Sequence, residues 1–158
     1  MYSPALTDFI FMVQESSYMF VTGPEVVKTV TNETVTKEEL GGSRMHSTVS
    51  GVSHKQFAND IEAIAGTRNL LTYLPQNCQE KRADRPWTDF DRRSQQSCTV
   101  LNNIVPFDPN KPYDMKIVLD SVVDRNQFYE IAGDHAKNII VGFGEVEGKV
   151  VGFVANQP

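Results

Sequence analysis

From Gln76 to about Lys111 the chain is composed of Gln, Asn, Asp, Arg and Pro with mixed charges. Apolar residues stay few until Val100-Leu101 and Ile104-Val105. This stretch constrains the fold more than any other feature, because long structureless connections are rare inside one compact domain and common between two. It predicts two domains, residues 1–75 and 112–158, joined by a linker over 76–111 that can lie along a neighbouring surface. With 158 residues, 40% of them apolar and 22% charged, the chain can bury one sizeable core or two small ones.

Short apolar runs and strong punctuation pattern the first block. Ser3 as N-cap and Pro4 at the first helical position predict a helical turn, since proline there gives up an N–H that had no partner. Phe9 to Val13 and Tyr18 to Val21 read as buried strands joined by a turn over Gln14 to Ser17. Gly23-Pro24-Glu25 predicts a helix to about Thr29, with an acidic residue where the helix dipole favours it. Thr36 and Glu39 have capping-box spacing, and Gly41-Gly42 ends that helix at once. Ser53 and Gln56 repeat the spacing ahead of the longest helical pattern, in which Phe57, Ile61, Ile64, Leu71 and Leu74 form one apolar face and Pro75 marks the stop.

In the last block Pro112-Tyr113-Asp114 predicts a helix with Met115, Val118, Leu119 and Val122 on one face. Ile139 to Phe143 and Val150 to Val154 then predict a hairpin about Glu145 to Lys149, with Gly148 supplying the turn. The sum is an α/β chain without internal repeats. Its abrupt start at Met1-Tyr2-Ser3-Pro4 and its stop just after an apolar strand are expected of a piece of something longer.

Charge and composition exclude several classes. A net charge of -5, from 20 acidic and 15 basic residues, gives no basic surface for nucleic acid. No apolar run approaches the roughly 20 residues of a bilayer span, so no membrane partner is expected. Cys78 and Cys98 share neither CxxC spacing nor nearby histidines, which predicts no disulfide framework and no metal site and suits a reducing compartment. Lys81-Arg82 and Arg92-Arg93 alternate with acids and read as a solvated linker rather than a docking surface.

The residues offer no complete catalytic set. His46, His54 and His135 lie in no nucleophile elbow, and surface exposure is the reading for His54 and His135. His46 sits in the glycine-bracketed loop from Gly41-Gly42 to Ser50-Gly51, the sort of segment that approaches a ligand, although hydrogen-bonding the loop to itself is the favoured role. The glycine pairs match neither GxGxxG nor GxxxxGK[ST]. Gly142 and Gly144 are better explained by bulges or close packing than by ligand contact.

Several strings, taken in order, carry a resemblance. They are Tyr2-Ser3-Pro4-Ala5-Leu6-Thr7-Asp8-Phe9, Thr22-Gly23-Pro24-Glu25-Val26-Val27-Lys28, and Glu39-Leu40-Gly41-Gly42 with His46 and Ser50-Gly51-Val52. Ala136-Lys137-Asn138-Ile139-Ile140-Val141-Gly142-Phe143 follows, and then Val151-Gly152-Phe153-Val154-Ala155-Asn156-Gln157-Pro158. Together they resemble the biotin-dependent acyl-CoA carboxyltransferases, of the propionyl-CoA carboxylase beta-subunit kind, over nearly the whole chain apart from the polar stretch. Acetyl-CoA and methylmalonyl-CoA carboxyltransferases share many of these strings.

The resemblance implies a crotonase/ClpP-like α/β fold, with 1–75 ending a first crotonase-like domain and 112–158 opening a second. It implies that carboxybiotin, on a separate carrier protein or domain, delivers its carboxyl group to the alpha carbon of an acyl-CoA, with no metal in that step. Backbone N–H pairs would steady the charge that develops on oxygen. Partners would be further copies of the subunit and a biotin carboxylase or biotin carrier subunit. The location would be cytoplasmic in a bacterium and the mitochondrial matrix in a eukaryote. The family's two glycine-rich oxyanion motifs are expected just before Tyr2 and beyond Pro158, so the piece alone is expected to be inactive, and no residue is assigned as catalytic. Pocket-proximal positions are Ser3, Pro4 and Ala5, then Gly41, Gly42, His46, Ser50 and Gly51, then Val154, Ala155 and Asn156. A non-catalytic assembly module and a biotin-dependent decarboxylase subunit are the alternatives.

Overall fold

The computed structural model describes residues 2–87 and 101–158. Its contacts divide into two units, Met1–Asn69 with Ala132–Ala136, and Leu70–Ile131 with Lys137–Pro158.

The first unit is organised by two short parallel strands, β1 (Phe11–Val13) and β2 (Lys55–Phe57), in the register Phe11 to Lys55, Met12 to Gln56 and Val13 to Phe57. Ile10, Met12, Val13 and Phe57 bury their side chains there. Around the pair lie α1 (Tyr2–Ala5), α2 (Pro24–Thr31), α3 (Lys37–Gly41), a π-helical turn (Met45–Val49) and α4 (Asp60–Leu71). α2 starts from Gly23 with Pro24 just inside and ends at Asn32 in the left-handed region, φ 59°. α3 carries the expected capping box: Thr36 Oγ1 accepts from Glu39 N, and the Glu39 carboxylate accepts from Thr36 N.

Three expectations are corrected here. Tyr18–Val21 is no strand; Tyr18 makes one isolated antiparallel bridge to Gly42. The turn instead closes on β1, because Val13 N donates to Ser17 Oγ while Ser17 N donates to Val13 O, and the strand partner is β2. α1 begins at Tyr2, so Ser3 lies inside it and not at its cap. The Ser53–Gln56 capping box does not form. Ser53 is fully buried and donates to Ile10 O and Lys55 O, Gln56 sits in β2, and α4 starts later on Asn59, whose Oδ1 accepts from Glu62 N at 2.9 Å. The same local signature occurs at both sites, and pairing with β1 decides which one caps.

The second unit contains α5 (Met115–Val122), a 3₁₀ turn (Asp124–Asn126) and an antiparallel sheet ordered β3 (Tyr129–Ile131), β4 (Ile139–Val146), β5 (Lys149–Asn156). Asp114 caps α5 by accepting from Lys116 N at 3.0 Å. The β4–β5 hairpin forms as the alternation predicts, and it turns through Glu147 (φ 52°) and Gly148 (φ 76°), the paired positive φ of a two-residue hairpin turn. No pattern foreshadows β3, whose three residues are too few to form one. Leu119, Val123, Tyr129 and Ile140 form the core, and the ring of Tyr73 lies 5.8 Å from that of Tyr129 and 6.3 Å from that of Phe143. Burial raises the Tyr129 phenol to about 12, with Tyr73 adding to the effect. Gly142 and Gly144 do serve close packing: a Cβ would meet Tyr129 O at 2.3 Å and Val123 Cγ1 at 2.4 Å.

Arg82 is not a solvated linker charge. It pairs with Glu145 and donates to Thr72 O, while Arg85 Nε pairs with Glu145 Oε2 at 2.7 Å and Arg85 Nη2 approaches Asp124 Oδ2 at 3.4 Å. Asp124 also accepts from Glu147 N and Gly148 N, which fixes the hairpin turn. Arg92-Arg93 and Cys98 lie outside the described residues.

Candidate functional site

The glycine-bracketed loop is the part of the predicted site that the fold assembles into one place. Gly41 is buried against the Tyr18 segment: Met19 N donates to Gly41 O at 2.8 Å, and a Cβ on Gly41 would fall 2.1 Å from Met19 O. A Cβ on Gly42 would fall 2.2 Å from the Glu38 carboxylate. Gly41 is therefore required by close approach of backbone, whereas at Gly42 only the flexible Glu38 side chain would have to move.

His46 fastens the loop, as favoured from the sequence. It is buried, and its Nε2 faces Met19 O, which can only accept, so the proton sits on Nε2 and Nδ1 accepts from the Ser50 hydroxyl at 2.8 Å. Ser50 N closes the π turn on Met45 O, and Ser53 N donates to His46 O. Gly51 has φ +68°, the left-handed region, and its missing Cβ leaves room for the His135 ring at 2.7 Å. His135 Nδ1 donates to Thr48 O at 3.1 Å. His135 is half-buried and not exposed as expected, because it covers Gly51, a contact across 84 positions that no local pattern could reveal.

His54 departs from its expected surface role. It is half-buried, its Nδ1 accepts from Ile10 N at 3.0 Å, its own N donates to Ile10 O at 2.8 Å, and its carbonyl accepts from Ala132 N. Burial lowers its pKa below 6.5.

The other predicted positions lie on other elements. Ser3, Pro4 and Ala5 are exposed on α1, where Ser3 O and Pro4 O accept from Leu6 N and Thr7 N. Val154, Ala155 and Asn156 belong to the second unit, on β5 opposite Val141, Ile140 and Ile139. Val154 is exposed and Ala155 half-buried. The loop's N–H groups at Gly42, His46, Ser50 and Ser53 are spent on carbonyls of α3 and of the loop itself. Among the described residues no cluster of three metal-ligating side chains occurs, and no helix is long and apolar enough to cross a membrane.

Residues 1–158 match, from end to end, the family described as the carboxyl transferase domain. The chain belongs to the carboxyl transferase family. It is 55% identical over 157 residues to the propionyl-CoA carboxylase beta chain of Roseobacter denitrificans, covering 99% of this chain and 30% of that one. The mitochondrial propionyl-CoA carboxylase beta chain of Homo sapiens is 50% identical over the same length, and the methylmalonyl-CoA decarboxylase subunit alpha of Veillonella parvula is 46% identical. Among solved structures, transcarboxylase 12S with methylmalonyl-coenzyme A and methylmalonic acid bound superposes with a TM-score of 0.90 at 39% identity, over 99% of this chain and 30% of that one. The carboxyl transferase fold here is accordingly crotonase-like α/β, as the resemblance implied. The chain spans about 30% of the length of the relatives it matches.

Proposed function

We propose that this chain is a segment of the carboxyltransferase subunit of a biotin-dependent acyl-CoA carboxylase, with propionyl-CoA as the acyl substrate. The observation that carries the reading is the unbroken family match over 1–158, together with 50–55% identity to two propionyl-CoA carboxylase beta chains. In this reading residues 1–75 end a first crotonase-like domain, 76–111 connect, and 112–158 open a second. The parent works with further copies of itself and with a biotin carboxylase or biotin carrier subunit, in bacterial cytoplasm or the mitochondrial matrix.

Carboxybiotin, borne on a carrier, supplies the carboxyl group that passes to the alpha carbon of the thioester. This chain's part in that transfer is positional. Gly41, Gly42, His46, Ser50 and Gly51 form a wall in the first unit, where α1 (Ser3, Pro4, Ala5) is also pocket-proximal, and the end of β5 (Val154, Ala155, Asn156) lines a separate pocket of the second. Rigid support of this kind matters because donors aimed at developing charge must not reorganise during reaction.

The test replaces the matching segment of the Roseobacter beta chain with this chain and assays the assembled holoenzyme. Carboxylation of propionyl-CoA at near-parental rate is the expected result; a folded, assembled chimera without turnover would sink the proposal. The likeness to the Veillonella decarboxylase subunit favours a second reading, transfer in the opposite direction. A chimera supporting only decarboxylation of methylmalonyl-CoA would select it.

A further inference from the structure

In the second unit the charged stretch after α4 is fastened to the β4–β5 turn at one place. Arg85 N donates to Gly148 O at 2.9 Å, and a Cβ on Gly148 would fall 2.1 Å from Arg85 O, so the two backbones lie against each other. The fastenings around that contact are charges. Arg82 Nη2 pairs with Glu145 Oε1, Arg85 Nε pairs with Glu145 Oε2 at 2.7 Å, and Arg85 Nη2 lies 3.4 Å from Asp124 Oδ2. These four side chains keep 9–23% of their surface exposed. Between the arginines Ala83 and Asp84 are exposed, so residues 82–85 add no apolar side chain to the core of Leu119, Val123, Tyr129 and Ile140. The turn closes without them, because Asp124 accepts from Glu147 N and Gly148 N by itself.

This distribution of contacts decides how the segment moves. A segment held by apolar burial leaves only when the core opens, whereas one held by charges with few buried apolar contacts opens locally. Glu145 accepts from both arginines, so losing that one charge undoes both of its pairs. Salt acts on the same contacts, since it screens partly exposed ion pairs and leaves apolar burial in place. We propose that residues 82–85 form a strap that closes over the β4–β5 turn through Glu145 and lifts without unfolding the second unit. The strap contributes Arg82, Ala83 and Arg85 to the lining of a groove of about 550 Å³ that also holds Leu71, Leu74 and Pro75, so lifting it opens that groove. None of this depends on the functional reading above.

The experiment follows amide hydrogen exchange in the 158-residue chain by NMR, at about 0.01 M and about 1 M sodium chloride, between which the range of a charge shrinks from about 30 Å to about 3 Å. The Arg85 amide, bonded to Gly148 O, reports the strap, and the amides of the β4–β5 ladder report the unit beneath it. Protection at Arg85 should fall about three- to tenfold at the higher salt while the ladder keeps its own. Glu145→Gln should lower Arg85 protection about tenfold at the lower salt and remove most of its salt dependence. The salt series on the parent needs no variant, so it decides the matter even if Glu145→Gln folds poorly. An Arg85 amide unprotected at the lower salt would show that no strap closes. Arg85 and ladder amides sharing one rate and one salt dependence would show that it leaves only with global unfolding. A well-folded Glu145→Gln with unchanged Arg85 protection would remove Glu145 from the role. Each of these three results overturns the proposal.

Discussion

His54 joins β1 to β2 through both its backbone and its ring, and the ring contact depends on protonation. Ile10 N–H points at Nδ1, so that nitrogen must be unprotonated in the fold, and burial lowers the pKa from 6.5. A depressed folded pKa means that the unfolded chain takes up the proton first. The contribution is complete above pH 6.5 and is lost as pH falls through the folded value. His54→Asn keeps an acceptor near Nδ1 and removes the titration. Its melting temperature should match the parent's near pH 8 and fall less between about pH 7 and pH 5; parallel curves for the two proteins would refute this role. Gly66 makes the opposite point about local rules. Glycine to alanine in a helix ordinarily stabilises by about 1 kcal/mol. Here a Cβ would lie 2.3 Å from Phe57 Cζ in the buried strand. Gly66→Ala should therefore lower stability by about 1–3 kcal/mol in urea unfolding. The role of His46 was legible from the sequence because one of its partners, Ser50, is four residues away, whereas that of His54 was not because Ile10 is 44 residues away.

At the scale of elements, the two capping boxes show what local spacing can and cannot decide. Thr36–Glu39 forms, and the bonds from Thr36 backbone and side chain pull the Glu39 carboxyl below its usual range. Ser53–Gln56 has the same spacing but does not cap, because Ser53 bonds Ile10 O just before β1 and Gln56 pairs with Met12 as part of β2. Asn59→Ala should cost about 1 kcal/mol and speed hydrogen exchange in the first turn of α4. Ser53→Ala should leave that turn unchanged and speed exchange at the β1–β2 pair. The reverse pattern would restore the sequence-derived cap. In the second unit Asp124 holds the hairpin turn through Glu147 N and Gly148 N while facing Arg85. Asp124→Ala strands those donors, and a loss of about 3 kcal/mol is expected from chemical denaturation. The hairpin itself was legible because alternation and Gly148 agree, whereas the Asp124, Arg82 and Arg85 network was not, since nothing in a charge-rich stretch says which charges meet.

Over the whole chain, family and fold class were readable because ordered strings at Tyr2–Phe9, Thr22–Lys28, Glu39–Val52 and Ala136–Pro158 span both units. The burial of α4 was not. Ile61 and Ile64 sit one turn apart on the apolar face that the pattern assigns to the core, yet they are 80% and 63% exposed. Val30 of α2 is 74% exposed in the same unit. Covering one isoleucine is worth about 1.5–3 kcal/mol before association costs, enough to drive weak self-association of a chain that spans about 30% of its relatives' length. Light scattering on a size-exclusion column should show an apparent mass that rises with concentration. Ile61→Glu with Ile64→Glu should bring it down to the monomer with little change in melting temperature, because these side chains give up little burial. A single mass at every concentration, or an undiminished rise in the double variant, would show that this face is not where copies of the chain meet.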